Sequence, residues 1–160
     1  MVILICRHAL AADRDGDRYP DDTLRPLVAK GRKRQARISR RLAQRGMTPA
    51  VIFSSPWKRA WQTAGVLARE SGAGKNRRVV CPPLATDPNV AALAEAVGPR
   101  GSDEVVALVG HDPWVSELAS LILTGSPTRL AIEFEKSGIV AIAANELAPA
   151  CGKLLFFWET

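Results

Sequence analysis

Apolar residues along the chain fall into short runs, separated by polar segments whose apolar positions recur at helical spacing. Val2 to Cys6 is a continuous apolar run stopped by the polar pair Arg7-His8, the pattern of a strand covered on both faces. A polar loop rich in Asp and Arg follows, Asp13 to Thr23, with Gly16 and Pro20 inside it. Lys30 to Arg45 is predicted to be a helix, with Ile38 and Leu42 spaced for one buried face and Gly46 to stop it. Ala50 to Phe53 is the second strand. Ser55 before Pro56 marks a helix start, and that helix runs to about Glu70. Ser71 to Asn76 is a small-residue turn and Arg78 to Cys81 a short third strand. A helix is expected over Asn89 to Val97. Val105 to Val109 is a strongly apolar strand ending in Gly110-His111, and Asp112-Pro113 opens a further helix to Leu123.

The last third of the chain changes character. Leu130 to Glu135, Ile139 to Ala144 and Leu154 to Trp158 are strand-like, with a Lys136-Ser137-Gly138 turn between the first two. Strands joined by so short a turn are expected to pair antiparallel. The alternation of strands and helices predicts one domain over residues 1–160. Its architecture is a three-layer α/β/α sandwich with a mixed, mostly parallel sheet. Val51 to Trp57 and Ala107 to Trp114 echo one another: each is a strand, then small or polar residues, then a Pro-Trp helix start. Both place functional groups at the carboxyl end of a strand beside a helix N-terminus. That edge is where open α/β sheets bind ligands, and free helix amides there favour phosphate.

Composition narrows the class of partner. The formal net charge of +6 attracts anions, and 47% hydrophobic with 24% charged residues is ordinary for a globular chain. Cys6, Cys81 and Cys151 are odd in number and widely spaced, so no disulfide framework or zinc ribbon is readable and buried free thiols are expected. The apolar opening is cut short by Arg7, too short for a signal peptide, and no other stretch approaches a membrane span. A cytoplasmic protein without a membrane role is the expectation.

Only two histidines occur, His8 and His111, and both fall at strand ends. If the two strands are parallel neighbours, the rings reach the same sheet edge. Arg7 adjoins His8, and Arg59 lies in the first turn of the helix after the second strand. Guanidinium forks match phosphoryl oxygens with paired hydrogen bonds and hold charge at any relevant pH. Taken singly, each residue has a plainer reading: a satisfied histidine, a solvated arginine.

Four ordered blocks carry a family resemblance. Leu4-Ile5-Cys6-Arg7-His8-Ala9 resembles the RHG/RHA signature of the histidine phosphatase superfamily. Ser54 to Ala64 is similar to its SSP-x-x-RA-x-QTA block, and Val109-Gly110-His111-Asp112-Pro113 to the block bearing its second histidine. Arg25-Pro26-Leu27-Val28-Ala29-Lys30-Gly31 resembles the RPLT-x-x-G stretch of the SixA-like phosphohistidine phosphatases. The resemblance implies the histidine phosphatase, or phosphoglycerate mutase-like, fold without the lid insertions of larger members. It implies a metal-independent phosphatase with no cofactor. His8 would be the nucleophile, neutral and held through its other nitrogen, forming a phosphohistidine. Arg7, Arg59 and His111 would bind the phosphoryl oxygens and stabilise the charge in transfer. Arg25 falls where the SixA-like branch has an arginine near the pocket. The implied substrate is phosphohistidine on a protein, such as a histidine-phosphotransfer domain. A phosphomonoesterase of small phosphate esters and a non-catalytic phosphate-binding module are the alternatives.

Two departures bear on substrate. Ala9 stands where the superfamily commonly has glycine, and no block supplies the acid that many members use to protonate an alkoxide. Asp87 and Asp22 are the candidates, although each also suits a turn or helix cap. A missing acid costs least with an imidazole leaving group, which favours a phosphoramidate.

Other signals are weaker. Gly72-Ala73-Gly74-Lys75-Asn76 lacks the preceding glycine and following Ser/Thr of a phosphate loop, Arg69 and Asn76 standing in those places. No metal-ligand spacing exists. The predicted helix Lys30–Arg45 carries eight basic residues without one acid; it reads as a solvated face or as a docking face for an acidic protein. Nucleic acid is not expected, because no binding motif accompanies the charge.

Overall fold

The structure is a computed structural model, and it describes residues 1–85 and 89–159. Ten principal elements run in chain order: β1 (Val2–Arg7), α1 (Ala29–Gln44), β2 (Val51–Ser54), α2 (Lys58–Glu70), β3 (Arg78–Val80), α3 (Val90–Val97), β4 (Val105–Gly110), α4 (Trp114–Thr124), β5 (Ile139–Ala144) and β6 (Gly152–Trp158). Short 3₁₀ turns lie at Asp22–Leu24, Lys75–Arg77 and Pro82–Leu84.

The strands form one six-stranded sheet in the order β3-β2-β4-β1-β5-β6. The pairs β3/β2, β2/β4 and β4/β1 are parallel, whereas β1/β5 and β5/β6 are antiparallel. The mixed, mostly parallel α/β sandwich anticipated from the alternation of elements is therefore present. On one face Leu4, Cys6, Ala107 and Val109 pack with Ile38 and Leu42 of α1 and Ala60, Ala64 and Leu67 of α2. On the other, Ile3, Ile5, Val106 and Leu108 meet Leu93 and Val97 of α3 and Val115, Leu118 and Ile122 of α4. Every residue of β4 is buried, which is why a strand covered on both sides reads as an unbroken apolar run.

Gly31 stands where the start of α1 crosses the loop leaving β1. A Cβ on it would sit 2.1 Å from the Leu10 carbonyl oxygen, so only glycine lets the start of α1 pack against that backbone. Val28 N–H donates to the same Leu10 oxygen at 3.1 Å, and Ala12 N–H to Pro26 at 2.9 Å. The segment ahead of α1 is thereby fastened to the loop leaving β1.

The structure corrects the sequence reading near the C-terminus. Leu130 to Glu135 is irregular and not a strand, and it makes no hairpin with β5. Both edges of β5 are already taken, by β1 and β6, so no edge remains for it. The apolar character of the segment has a different use. The Phe134 side chain is buried in the core on the α3/α4 face, while its carbonyl accepts a hydrogen bond from the Arg7 guanidinium. Helix α2 also begins later than Pro56, at Lys58, and Ser55 Oγ accepts from Trp57 N–H at 3.2 Å just ahead of it.

Candidate active site

Register alone brings the two histidines together. Arg7 pairs with Gly110 across the parallel β1/β4 ladder, so His8 and His111 leave the sheet at the same level. His8 N–H donates to Gly110 at 2.9 Å, and the ring centroids stand 5.1 Å apart. Strand β2 ends at the same height, where Ser55 N–H donates to Val109 at 3.0 Å. Three strand ends thus deliver His8, His111 and Ser55 to one point. Both histidines are only 4% exposed.

The tautomer of His8 follows from its two partners. Nδ1 lies 2.8 Å from the Ala9 carbonyl oxygen, an acceptor only, so Nδ1 carries the proton. Arg59 Nε, a donor only, points at Nε2 from 3.3 Å, so Nε2 presents its lone pair. Burial, with the nearby positive charge of Lys136 next in weight, pushes the His8 pKa down to about 2. The ring is neutral at physiological pH, with a nucleophilic nitrogen facing the arginine.

His111 is treated similarly. Its Nε2 lies 2.8 Å from Ser55 Oγ, and Trp57 tilts over the ring at 4.5 Å. Burial first, and then Arg59, pushes its pKa down to about 3. Nδ1 is buried with no hydrogen-bond partner, as is Nε of Arg7. Orphaned buried groups of this kind are costly unless a ligand completes them, and two of them belong to adjacent strand ends.

Arg59 is the most heavily engaged cation. Its side chain is buried, Nη1 donates to the Asp22 backbone oxygen at 2.8 Å, and Nη2 lies 3.1 Å from Asp22 Oδ2. Trp57 supports the guanidinium from 4.5 Å. Helix α2 also fixes the loops it faces: Thr63 Oγ1 accepts from Ala9 N–H at 3.0 Å, and Gln62 Oε1 from Leu27 N–H at 2.8 Å. The Gln-Thr pair of the second sequence block thus holds the segment after His8 and the segment after Arg25.

Arg25 reaches the rim through Asp22 and does not touch the histidines. Its Nε donates to Asp22 Oδ1 at 2.7 Å and its Nη1 to the Ala12 carbonyl at 2.7 Å. The hydrogen bond from Arg25 holds the Asp22 carboxyl below the usual carboxylate range, with Arg59 reinforcing it. Asp87, the other candidate acid, lies outside the described residues. Among the described residues no group of three His, Cys, Asp or Glu side chains is placed to hold a metal ion.

Ser55, read from sequence as a helix start and a member of the second block, meets His111, and Lys136, read as a turn residue, acts electrostatically on both histidines. Two shallow grooves flank the site. One of about 490 Å³ is lined by Arg7, Asp112, Glu133, Phe134, Glu135 and Glu159. The other, about 430 Å³, includes Arg14, Tyr19, Asp22 and Trp57.

Residues 3–79 match the family model described as the histidine phosphatase superfamily, branch 1. An uncharacterized protein of Picosynechococcus sp. strain PCC 7002 is 32% identical over 160 residues, covering 91% of this chain and 86% of that one. Among solved structures, the protein histidine phosphatase SixA complexed with tungstate superposes with a TM-score of 0.80 at 20% identity, over 99% of this chain and 97% of that one. A mycobacterial glucosyl-3-phosphoglycerate phosphatase superposes with a TM-score of 0.70 at 15% identity, over 99% of each chain. At these identities the two structures share its fold.

Proposed function

This chain belongs to the histidine phosphatase superfamily, and on that premise we propose that it is a phosphatase working through phosphohistidine on His8, with phosphohistidine of a protein as its substrate. The observation that carries the reading is the unprotonated Nε2 of His8, in a ring fixed through Nδ1 by the Ala9 carbonyl and turned toward Arg59. A module that only binds phosphate needs no such nucleophile.

The reaction runs in two displacements. The Nε2 lone pair attacks phosphorus and the bond from phosphorus to the leaving nitrogen breaks; the substrate ring, protonated on its other nitrogen, takes that electron pair and departs as a neutral imidazole. Water then attacks phosphorus, the bond to Nε2 breaks, and inorganic phosphate leaves with His8 restored. Arg59 releases Nε2 as the phosphoryl group enters and turns its donors to the phosphoryl oxygens. Arg7 Nε gains the acceptor it lacks among the protein's own groups, and His111 Nδ1 gains one in the tautomer in which the Ser55 hydroxyl donates to Nε2. Nothing in this scheme calls for a metal.

Two features favour an imidazole leaving group on a protein. Asp22 is held ionised by Arg25 and Arg59, the wrong protonation state for an acid that must protonate an alkoxide. The grooves beside the site are open and shallow, as a protein surface requires. A partner with acidic character suits α1, where Lys30, Arg32, Lys33, Arg37, Arg40 and Arg41 are exposed. Small phosphate esters are the second reading, favoured by the glucosyl-3-phosphoglycerate phosphatase among the proteins of like fold.

Mixing the protein with a labelled aryl phosphate and quenching in alkali should trap an acid-labile, alkali-stable phosphoprotein that His8→Ala does not form. Undiminished labelling of the variant would overturn the assignment of the nucleophile. Faster turnover of sugar phosphates than of a phosphohistidine protein would establish the second reading.

A further inference from the structure

The segment Phe134–Gly138 is stitched to the end of β1 at three points. Arg7 N–H donates to the Gly138 carbonyl at 3.1 Å, Ser137 N–H to the His8 carbonyl at 3.4 Å, and the Arg7 guanidinium to the Phe134 carbonyl. The turn closes on itself through Gly138 N–H to Glu135 at 2.8 Å. A Cβ on Gly138 would lie 2.9 Å from that same Glu135 oxygen, so the closure is tight.

Ser137 sits at φ 71° although it is not glycine, and its hydroxyl is fully buried without a hydrogen-bond partner. Left-handed backbone at a serine costs free energy and persists only where surrounding contacts impose it. Three of the chain's orphaned buried polar groups, Arg7 Nε, His111 Nδ1 and Ser137 Oγ, therefore belong to residues around one point. A turn that served only to connect elements would have no need of this strain so close to a nucleophile.

We infer that Lys136, presented by this strained turn beside the ends of β1 and β4, is a phosphoryl-binding residue of the site. The inference rests on the phosphatase reading for its chemistry but on the turn geometry for its residue. Lys136 is half-buried, and its charge acts on both His8 and His111. The groups that act on it come from every element around it: Arg7 and His8 at the end of β1, His111 and Asp112 after β4, Arg59 on α2, and Arg25 ahead of α1. Glu133, Glu135 and Glu159 line the neighbouring groove. Burial first, and then Arg7 and Arg59, pushes its pKa down to about 8. Arg7, Arg59 and Arg25 disfavour its charge while Asp112 favours it, and a phosphoryl dianion among these groups would favour it further. An ammonium there adds charge that the arginine forks share, and it does so as a point charge free of their planar geometry.

The test is binding of inorganic phosphate, measured by calorimetry at pH 7 and 9, together with turnover of an aryl phosphate. Lys136→Ala should weaken phosphate binding and lower kcat/KM by about ten- to hundredfold, the scale of one charge-assisted hydrogen bond. Lys136→Arg should stay within about threefold of wild type, since it keeps the charge. Lys153→Ala, which removes an exposed charge from the edge strand β6, should change neither quantity. Above pH 8 the Lys136 ammonium loses its proton, so wild-type affinity should fall between pH 7 and 9. Lys136→Arg should show no such fall. Equal affinity for phosphate in Lys136→Ala and wild type, with unchanged melting temperature, would overturn the inference. So would a fall between pH 7 and 9 that persists in Lys136→Arg. A wild-type protein that forms no phosphoenzyme, yet loses phosphate affinity on Lys136→Ala, would sink the catalytic reading and leave this one standing.

Discussion

Burying both histidines neutral predicts a specific dependence of stability on pH. In the folded chain the His8 and His111 pKa values are pushed down to about 2 and about 3, each chiefly by burial. In the unfolded chain both return to the ordinary value of about 6.5. Between these limits the unfolded state binds more protons, so stability rises with pH through this window and is lost as pH falls. At pH 5 the linkage amounts to RT ln(1 + 10^1.5), about 2 kcal/mol for each ring. Both together give about 4 kcal/mol relative to pH 7, a large fraction of the 5–15 kcal/mol typical of a domain's stability. The window is clean. The chain has only two histidines, and carboxylates such as Asp22 and Glu70, held low by Arg25 and Arg69, lose their contribution only below about pH 4. Lys136, with its pKa at about 8, titrates above the window.

Urea unfolding at pH 5 and pH 7 measures the difference directly. With a slope of about 2 kcal/mol per molar for a chain of this size, the midpoint should fall by about 2 M at the lower pH. His8→Asn and His111→Asn should each remove about half of the fall, because each takes away one titrating ring. A midpoint that moves by less than about 0.3 M in the wild type would mean that the rings are solvated and titrate normally. His8 would then not be held neutral by burial.

Three other outcomes follow from particular contacts. Arg59→Ala should cut turnover by roughly 10²–10³, the effect of removing one donor to transition-state charge, and lysine should rescue it poorly; near-normal steady-state rates would make Arg59 a brace for Asp22 alone. Gly31→Ala should destabilise the fold by about 1–3 kcal/mol in chemical denaturation, since its Cβ would meet the Leu10 oxygen at 2.1 Å; an unchanged midpoint would show that the start of α1 shifts freely. Replacing Lys33, Arg34 and Arg37 with glutamate should raise KM for an acidic phosphohistidine protein while sparing an aryl phosphate, with the difference shrinking as salt rises. Equal response of both substrates would leave α1 a solvated face. Arg41 is a poorer choice than these three, because it stacks over Trp158 at 4.1 Å and its loss would uncover that ring.

The parts of the fold legible in the sequence are those whose residues answer to one local rule. β1 and β4 read as strands because both their faces are covered, and α1 read as a helix because Ile38 and Leu42 share one face. The segment Leu130 to Glu135 obeyed the same local rule and still failed as a strand. Whether an apolar run pairs depends on a free edge. β5 had none to offer, since β6, which comes later in the chain, occupies the place a hairpin partner would take. A run of six residues carries no information about that competition.

The site divides along the same line. His8, His111 and Arg59 were legible because each stands next to an element boundary, where the register of a parallel sheet fixes what meets what. Arg25 was legible as a member of the rim, but not its use, which is to hold Asp22 ionised and so deny the site an acid from that carboxyl. Lys136 was invisible as a site residue, because the bonds that bring its turn to His8 span almost the whole chain. Ser137 N–H reaches the His8 carbonyl, and Arg7 N–H reaches Gly138. The chemistry a residue can do is written in its type. The position from which it does it is set by contacts between segments distant in the chain, and at this site a turn fastened to the end of β1, taking up no strand edge, sets it.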